Sequence, residues 1–236
     1  PLDRLSLIDC GDVRLIPSMQ DEAEAAIEKA IGLVAGAGLV PVTMGGDGSV
    51  TLGQLRALAG RHSDLVVLHV DSHTDANAGT GRAAATGTTF TRAAEEGLVD
   101  TGASLHLGMR GTFRAPGTFD QARGLGYGLM TYDELRTRGV DAVTAEIKTR
   151  LAGRPVYLCW DMDFFDPSCA PGVCAPIPGG PGAEEGLRLL RGFAGLNIVA
   201  CDVNTVSPPH DVGGITALLA AQVMYDCLVL VCQRAG

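Results

Sequence analysis

Two stretches of this chain share one construction, and together they restrict what it can fold into. Residues 65–77, LVVLHVDSHTDAN, are an apolar run leading into Asp71, His73 and Asp75 at two-residue intervals. Residues 157–167, YLCWDMDFFDP, are a second apolar run leading into Asp161 and Asp163, with Asp166 before Pro167. A short unbroken apolar run reads as a strand buried on both faces, the kind found in parallel sheets. Side chains two apart on extended backbone share a face, so each strand end delivers its acids as a group. Taken alone, residues 65–77 also read as an ordinary polar loop after a strand. The second stretch turns this into four same-face carboxylates and one imidazole at two strand ends. Such groups resist joint ionisation at close range, and a divalent cation removes the conflict.

The rest of the chain alternates strand and helix patterns. Residues 5–10, LSLIDC, read as a first strand. Residues 21–35 form a helix pattern, with Ala23, Ala26, Ile27, Ala30, Ile31 and Val34 at helical spacing, ended by Gly36 and Gly38. Residues 39–44 read as a second strand that runs into Gly45-Gly46-Asp47-Gly48-Ser49. Ser49 or Thr51 is expected to cap the helix that follows, as far as Ala59. The third strand spans 65–70, and the Gly/Ala/Thr-rich residues 78–89 read as a mobile active-site loop. Further strands are expected at 104–109, 128–131, 155–160 and 197–203. Helices are expected at 91–98, 119–123, 133–138, 141–151, 183–193 and 214–232, the last mostly buried. Residues 169–182 carry closely spaced Pro and Gly and must be loop. This alternation, without repeat or linker, predicts an α/β fold: a mostly parallel sheet with helices on both faces, in one domain over residues 1–236. The chain begins inside its first strand pattern, so an N-terminal piece is expected to lie outside the sequence. Ligands in such sheets bind beyond the carboxyl ends of the strands, where Asp47, Asp71, Asp161 and Thr205 fall.

Composition narrows the function classes. Apolar residues make up 46% and charged residues 19%, which fits a packed globular chain and not a disordered one. The net charge of −9 argues against nucleic acid as a partner. It fits a cationic substrate, and it fits simple solubility as well. The seven Cys residues are an odd number with no CxxC spacing; most lie in apolar patterns and read as small core residues. No basic segment followed by an apolar one is present, so no signal peptide is expected. Residues 218–232 read as too short and interrupted to span a membrane, and the cytoplasm is the expected location.

GGDGS at 45–49, DSHTD at 71–75, DMDFFDP at 161–167 and VSPPHD at 206–211, in this order, resemble the ureohydrolase family of arginases, agmatinases and related amidinohydrolases. The resemblance runs from Gly11 to the last helix. Residues 91–100 and 195–221 look most like the agmatinase branch. It implies a three-layer α/β/α fold, a binuclear Mn²⁺ centre, hydrolysis of a guanidino compound to urea and an amine, and assembly as trimers or hexamers. Carried over by motif, Asp71 and Asp161 would bridge the two metals. His73 and Asp163 would complete one site. Asp75 would belong to the other and take the proton of the bridging water. Asn77 matches a position that contacts substrate in the arginase branch. Carboxylate-rich ligation with one imidazole suits Mn²⁺ before Zn²⁺, with Ni²⁺ as an alternative.

Three positions depart from the family pattern. The family usually reads GGDHS, and Gly48 stands where that His would ligate the metal shared with Asp75, so this second site is expected to be weakened. Thr86-Gly87-Thr88 replaces His-Gly-Thr, whose His shuttles a proton to the leaving amine. Thr205 replaces the Glu of EVSPP that faces the guanidinium. Thr86 and Thr205 thus occupy substrate-facing positions. A hydroxyl at 205 hydrogen-bonds but brings no charge, which suits a neutral or substituted guanidine. Two functions fit. One is an agmatinase-like, metal-dependent hydrolase of C–N bonds in linear amidines, working as a homo- or hetero-oligomer. The other is a weak or silent ureohydrolase-like subunit that partners an active paralogue. His69 reads as a packed or supporting histidine rather than a ligand, and Trp160 as core.

Overall fold

Six strands pair into one all-parallel sheet in the computed structural model, which describes residues 2–16, 19–79, 85–111 and 116–234. They are β1 (Val42–Met44), β2 (Val66–Val70), β3 (Leu105–Met109), β4 (Gly128–Thr131), β5 (Val156–Asp161) and β6 (Ile198–Asn204), in the spatial order β1-β6-β5-β2-β3-β4. The helices are α1 (Gln20–Gly36), α2 (Val50–Ala59), α3 (Thr89–Glu95), α4 (Thr118–Gly124), α5 (Tyr132–Arg138), α6 (Val140–Arg150), α7 (Ala183–Gly192) and α8 (Ile215–Cys232).

Every residue of β2, β5 and β6 is buried, as the apolar runs require of strands covered on both faces. Val66, Leu68 and Val70 pack with Leu158, Trp160 and the apolar sides of α5 to α8. Val67, Tyr157 and Cys159 face the opposite way, toward α1, α2 and α3. The result is three layers, α/β/α. Each fully buried side chain of the Leu68 kind contributes roughly 1.5–3 kcal/mol.

Four expectations need correction. Residues 5–10 form no strand, and Leu7 and Ile8 are exposed; an alternating pattern supplies no hydrogen-bonding neighbour, and strand pairing needs one. Ser49 stands at the N-cap of α2 without a side-chain cap, its hydroxyl donating instead to Asp47, while Thr51 lies inside the helix and donates to Asp202 Oδ2. α8 has 18 residues with mean hydropathy 2.0, long and apolar enough to cross a membrane. It lays Leu219, Val223, Cys227 and Leu230 into the core but leaves Leu218 and Tyr225 exposed, so it is less buried than its composition implied. Only Cys159, Cys201 and Cys227 of the seven cysteines are buried.

Two features place the ends of β2 and β5 side by side. Their register pairs Val70 with Trp160, so Asp71 and Asp161 leave the sheet at the same level. The chain continues from β2 to β3 on one side and from β5 to β6 on the other. Such a switch point opens a crevice at the carboxyl end of the sheet.

Candidate metal centre

The backbone turns immediately after β2. Residues 71–73 bend, and Asp75 takes the left-handed conformation with φ 46°, which is uncommon for a residue other than Gly. The extended backbone expected through Asp71, His73 and Asp75 is therefore absent, and His73 and Asp75 join Asp71 in two separate clusters. Asp71, His73 and Asp163 offer ligand atoms within 4.8 Å of one another, and so do His69, Asp71 and Asp75. β3 helps to close this corner. Asp71 N–H donates to Leu107 O at 3.0 Å, and Gly108, with φ 110°, lies where a Cβ would meet Asp71 O at 2.8 Å and the Phe164 ring at 2.5 Å.

His73 Nδ1 lies 3.0 Å from Asp163 Oδ2 and 3.2 Å from Asp71 Oδ1. Asp163 Oδ1 accepts from Ser72 N–H at 3.1 Å and from Ser72 Oγ at 2.6 Å. Asp163 N–H donates to Asp161 Oδ1 at 2.7 Å, and the Thr205 hydroxyl donates to the same oxygen. Thr205 is held at φ 68°, and its oxygen also accepts from Met162 N–H at 3.2 Å. Thr205 thus reaches Asp161 directly. Gly48 borders Asp75 and Thr86: a Cβ there would meet Asp75 Oδ2 and Thr86 Cγ2, each at 3.1 Å. Asn77 donates its side-chain N–H to Gly87 O at 2.9 Å, tying the end of the β2 loop to the turn that carries Thr86. Of residues 78–89, read as an active-site loop, residues 80–84 lie outside the described residues. Asp166 stands apart, its carboxylate accepting from the backbone of Ser168, Gly179 and Gly180 and pinning the following loop.

The charges are crowded. Burial pushes Asp161 well above the usual carboxylate range, with Asp163 and Asp71 adding to it. Burial and Asp71 do the same to Asp75. Asp163 is pushed up to about 6 by burial and Asp71. Burial opposes the charge of Asp71, but His69 and His73 outweigh it and hold its carboxyl well below the usual range. Burial would lower His73, yet its bonds to Asp163 and Asp71 raise it to about 11. Several buried carboxylates around one half-buried imidazole form a donor set that a hard or borderline divalent cation satisfies. Asp71 Oδ2 is buried, with no well-aligned hydrogen-bond donor among the described residues and with His69 Nε2 2.9 Å away. The residues present therefore fit a metal.

Sequence reasoning missed three supporting residues. His106 sits beside His69 in the β2–β3 register, with Nδ1 to Nδ1 at 2.8 Å. Burial and His69 pull His106 well below its ordinary range. Arg110 donates to the carbonyl oxygens of Asp163, Phe165 and Ile177 at 3.0, 3.1 and 2.7 Å, and so fixes the backbone that carries Asp163. Ser72 holds the Asp163 carboxylate. Only Ser72 had a signal, its place between Asp71 and His73; the other two act across strands.

The arginase family model matches residues 1–230. A guanidinobutyrase of Pseudomonas aeruginosa is 36% identical over 229 residues, covering 97% of this chain and 72% of that protein. An agmatinase of Proteus mirabilis is 36% identical over 232 residues, covering 97% and 72%. The solved structure of a proclavaminate amidino hydrolase from Streptomyces clavuligerus superposes with a TM-score of 0.91 at 35% identity, covering 98% of this chain and 77% of that one. With nearly its whole length matched in sequence and in fold, the chain belongs to the arginase family.

Proposed function

We propose that this chain hydrolyses the amidine C–N bond of a guanidino compound to urea and an amine, using divalent cations held by Asp71, His73, Asp75, Asp161 and Asp163. Family membership makes it a hydrolase of C–N amidine bonds, and its relatives carry the names guanidinobutyrase and agmatinase. The observation that supports the metal reading is the pair of clusters that share Asp71 at the switch point, one with His73 and Asp163 and the other with His69 and Asp75.

When bound, the cations would acidify a water and stabilise the charge that develops on the substrate; Mn²⁺ suits this oxygen-rich donor set. His73 and Asp163, with Asp71, would hold one ion, and Asp71, Asp75 and Asp161 the other. Asp75 would take the proton of the attacking water. Ser72 and Arg110 keep Asp163 in place, and Thr205 keeps Asp161 in place. Because the Thr205 hydroxyl is committed to Asp161 and carries no charge, the site favours a neutral or substituted guanidine over a free cationic one. Thr86, half-buried beside Asp75, would face the leaving amine.

The test is urea release by the isolated Mn²⁺-loaded chain from 4-guanidinobutyrate, agmatine, arginine and N-substituted guanidines. Saturable release from at least one of them is expected. A folded, metal-loaded chain that releases no urea from any would overturn this reading in favour of a silent subunit.

A further inference from the structure

We infer that His69 is the nitrogen ligand of the second metal, taking the role that Gly48 cannot fill. The inference rests on the metal-dependent reading above and concerns only which side chains hold the ions.

Three observations carry it. First, glycine at position 48 offers no donor, although a Cβ there would point at Asp75 Oδ2 and Thr86 Cγ2, each at 3.1 Å. Second, His69, Asp71 and Asp75 present ligand atoms within 4.8 Å of one another, all three residues buried. Neighbouring ligands on an ion with bonds of about 2.1 Å lie about 3 Å apart, and opposite ones about 4.2 Å. His69 Nε2 stands 2.9 Å from Asp71 Oδ2, the separation of neighbouring ligands on one ion. Two ligands side by side on one ion lie at this distance, and the cation then replaces the direct contact between them.

Third, the ring is held for the task. His69 Nδ1 lies 2.8 Å from His106 Nδ1, and Phe90 packs against the ring with centroids 4.4 Å apart. A ligating histidine usually donates its other N–H to a fixed acceptor, which sets the tautomer. Here Nδ1–H of His69 would donate to His106, leaving the Nε2 lone pair toward Asp71 and Asp75. The second site would then hold His69, Asp71, Asp75 and Asp161, with its nitrogen supplied from β2 instead of from the loop after β1.

The full chain is stripped of metal, reloaded with Mn²⁺, and compared with His69→Gln and with His69→Gln combined with Gly48→His. Ions per chain are counted by elemental analysis, and coordinated imidazoles per chain by X-ray absorption. Two ions and two imidazoles are expected for the unmodified chain. His69→Gln should lower affinity for the second ion at least roughly 10–100-fold and leave one imidazole, and Gly48→His should recover part of the loss. One imidazole per chain in the unmodified protein overturns the inference, as does unchanged second-ion affinity in His69→Gln. If His69→Gln does not fold, the imidazole count of the unmodified chain decides alone. Urea release with one imidazole would sink this inference and leave the hydrolase reading intact. A chain that takes up no metal overturns both.

Discussion

Thr205 gives its hydroxyl hydrogen to Asp161 Oδ1 and receives the Met162 N–H at 3.2 Å, so the end of β6 steadies the carboxylate at the end of β5. A hydrogen bond to a charged group is worth roughly 1.5–3 kcal/mol. Thr205→Val should therefore weaken Mn²⁺ binding by roughly tenfold or more, and Thr205→Ser should keep it. Metal titration of the two variants checks this; equal affinity in both would remove Thr205 from the support of Asp161.

Asp163→Ala should lose the ion shared with His73. A ligand at 100 times its dissociation constant stabilises the native state by about 2.7 kcal/mol, so the rise in melting temperature on adding Mn²⁺ should shrink. Scanning calorimetry with and without metal measures it. An undiminished rise would count against Asp163 as a ligand.

In the metal-free chain His73 is raised from 6.5 to about 11 by Asp163 and Asp71, against the opposing effect of burial. A raised histidine contributes stability fully below its unfolded value and loses it as pH climbs toward the folded value. The metal-free melting temperature should carry a declining component between about pH 6.5 and pH 11, absent in His73→Asn. Metal binding needs the neutral ring, so Mn²⁺ affinity should rise over the same window. Parallel profiles for the two proteins would contradict the pairing.

Gly108 occupies a backbone conformation that other residues rarely adopt, pressed against Phe164 and the Asp71 carbonyl. Gly108→Ala combines overpacking with backbone strain and should cost roughly 2–3 kcal/mol or more. That corresponds to a fall in melting temperature of roughly 5–10 °C for a chain of this size, accompanied by weaker metal binding. A fall below a degree with normal metal uptake would show that β3 does not brace the site.

What the sequence determined by itself is local. Unbroken apolar runs made β2, β5 and β6 buried strands and so put Asp71 and Asp161 at strand ends, and helical spacing made α1. The motifs were enough to point to the arginase family. Tertiary structure decided everything that needs a neighbour. Residues 5–10 have a strand's pattern but form no strand, because hydrogen-bonded pairing belongs to two segments and not to one. The register of Val70 with Trp160 set Asp71 beside Asp161, and that of His69 with His106 paired two histidines whose sequence surroundings gave no sign of it. The turn at Asp75 brought its carboxylate toward His69 rather than along the strand. Thr205, read as facing substrate, reaches Asp161 only because β6 lies next to β5. Periodicity fixes which face a side chain takes. Which partner it meets there depends on strand order and register, which long-range packing sets.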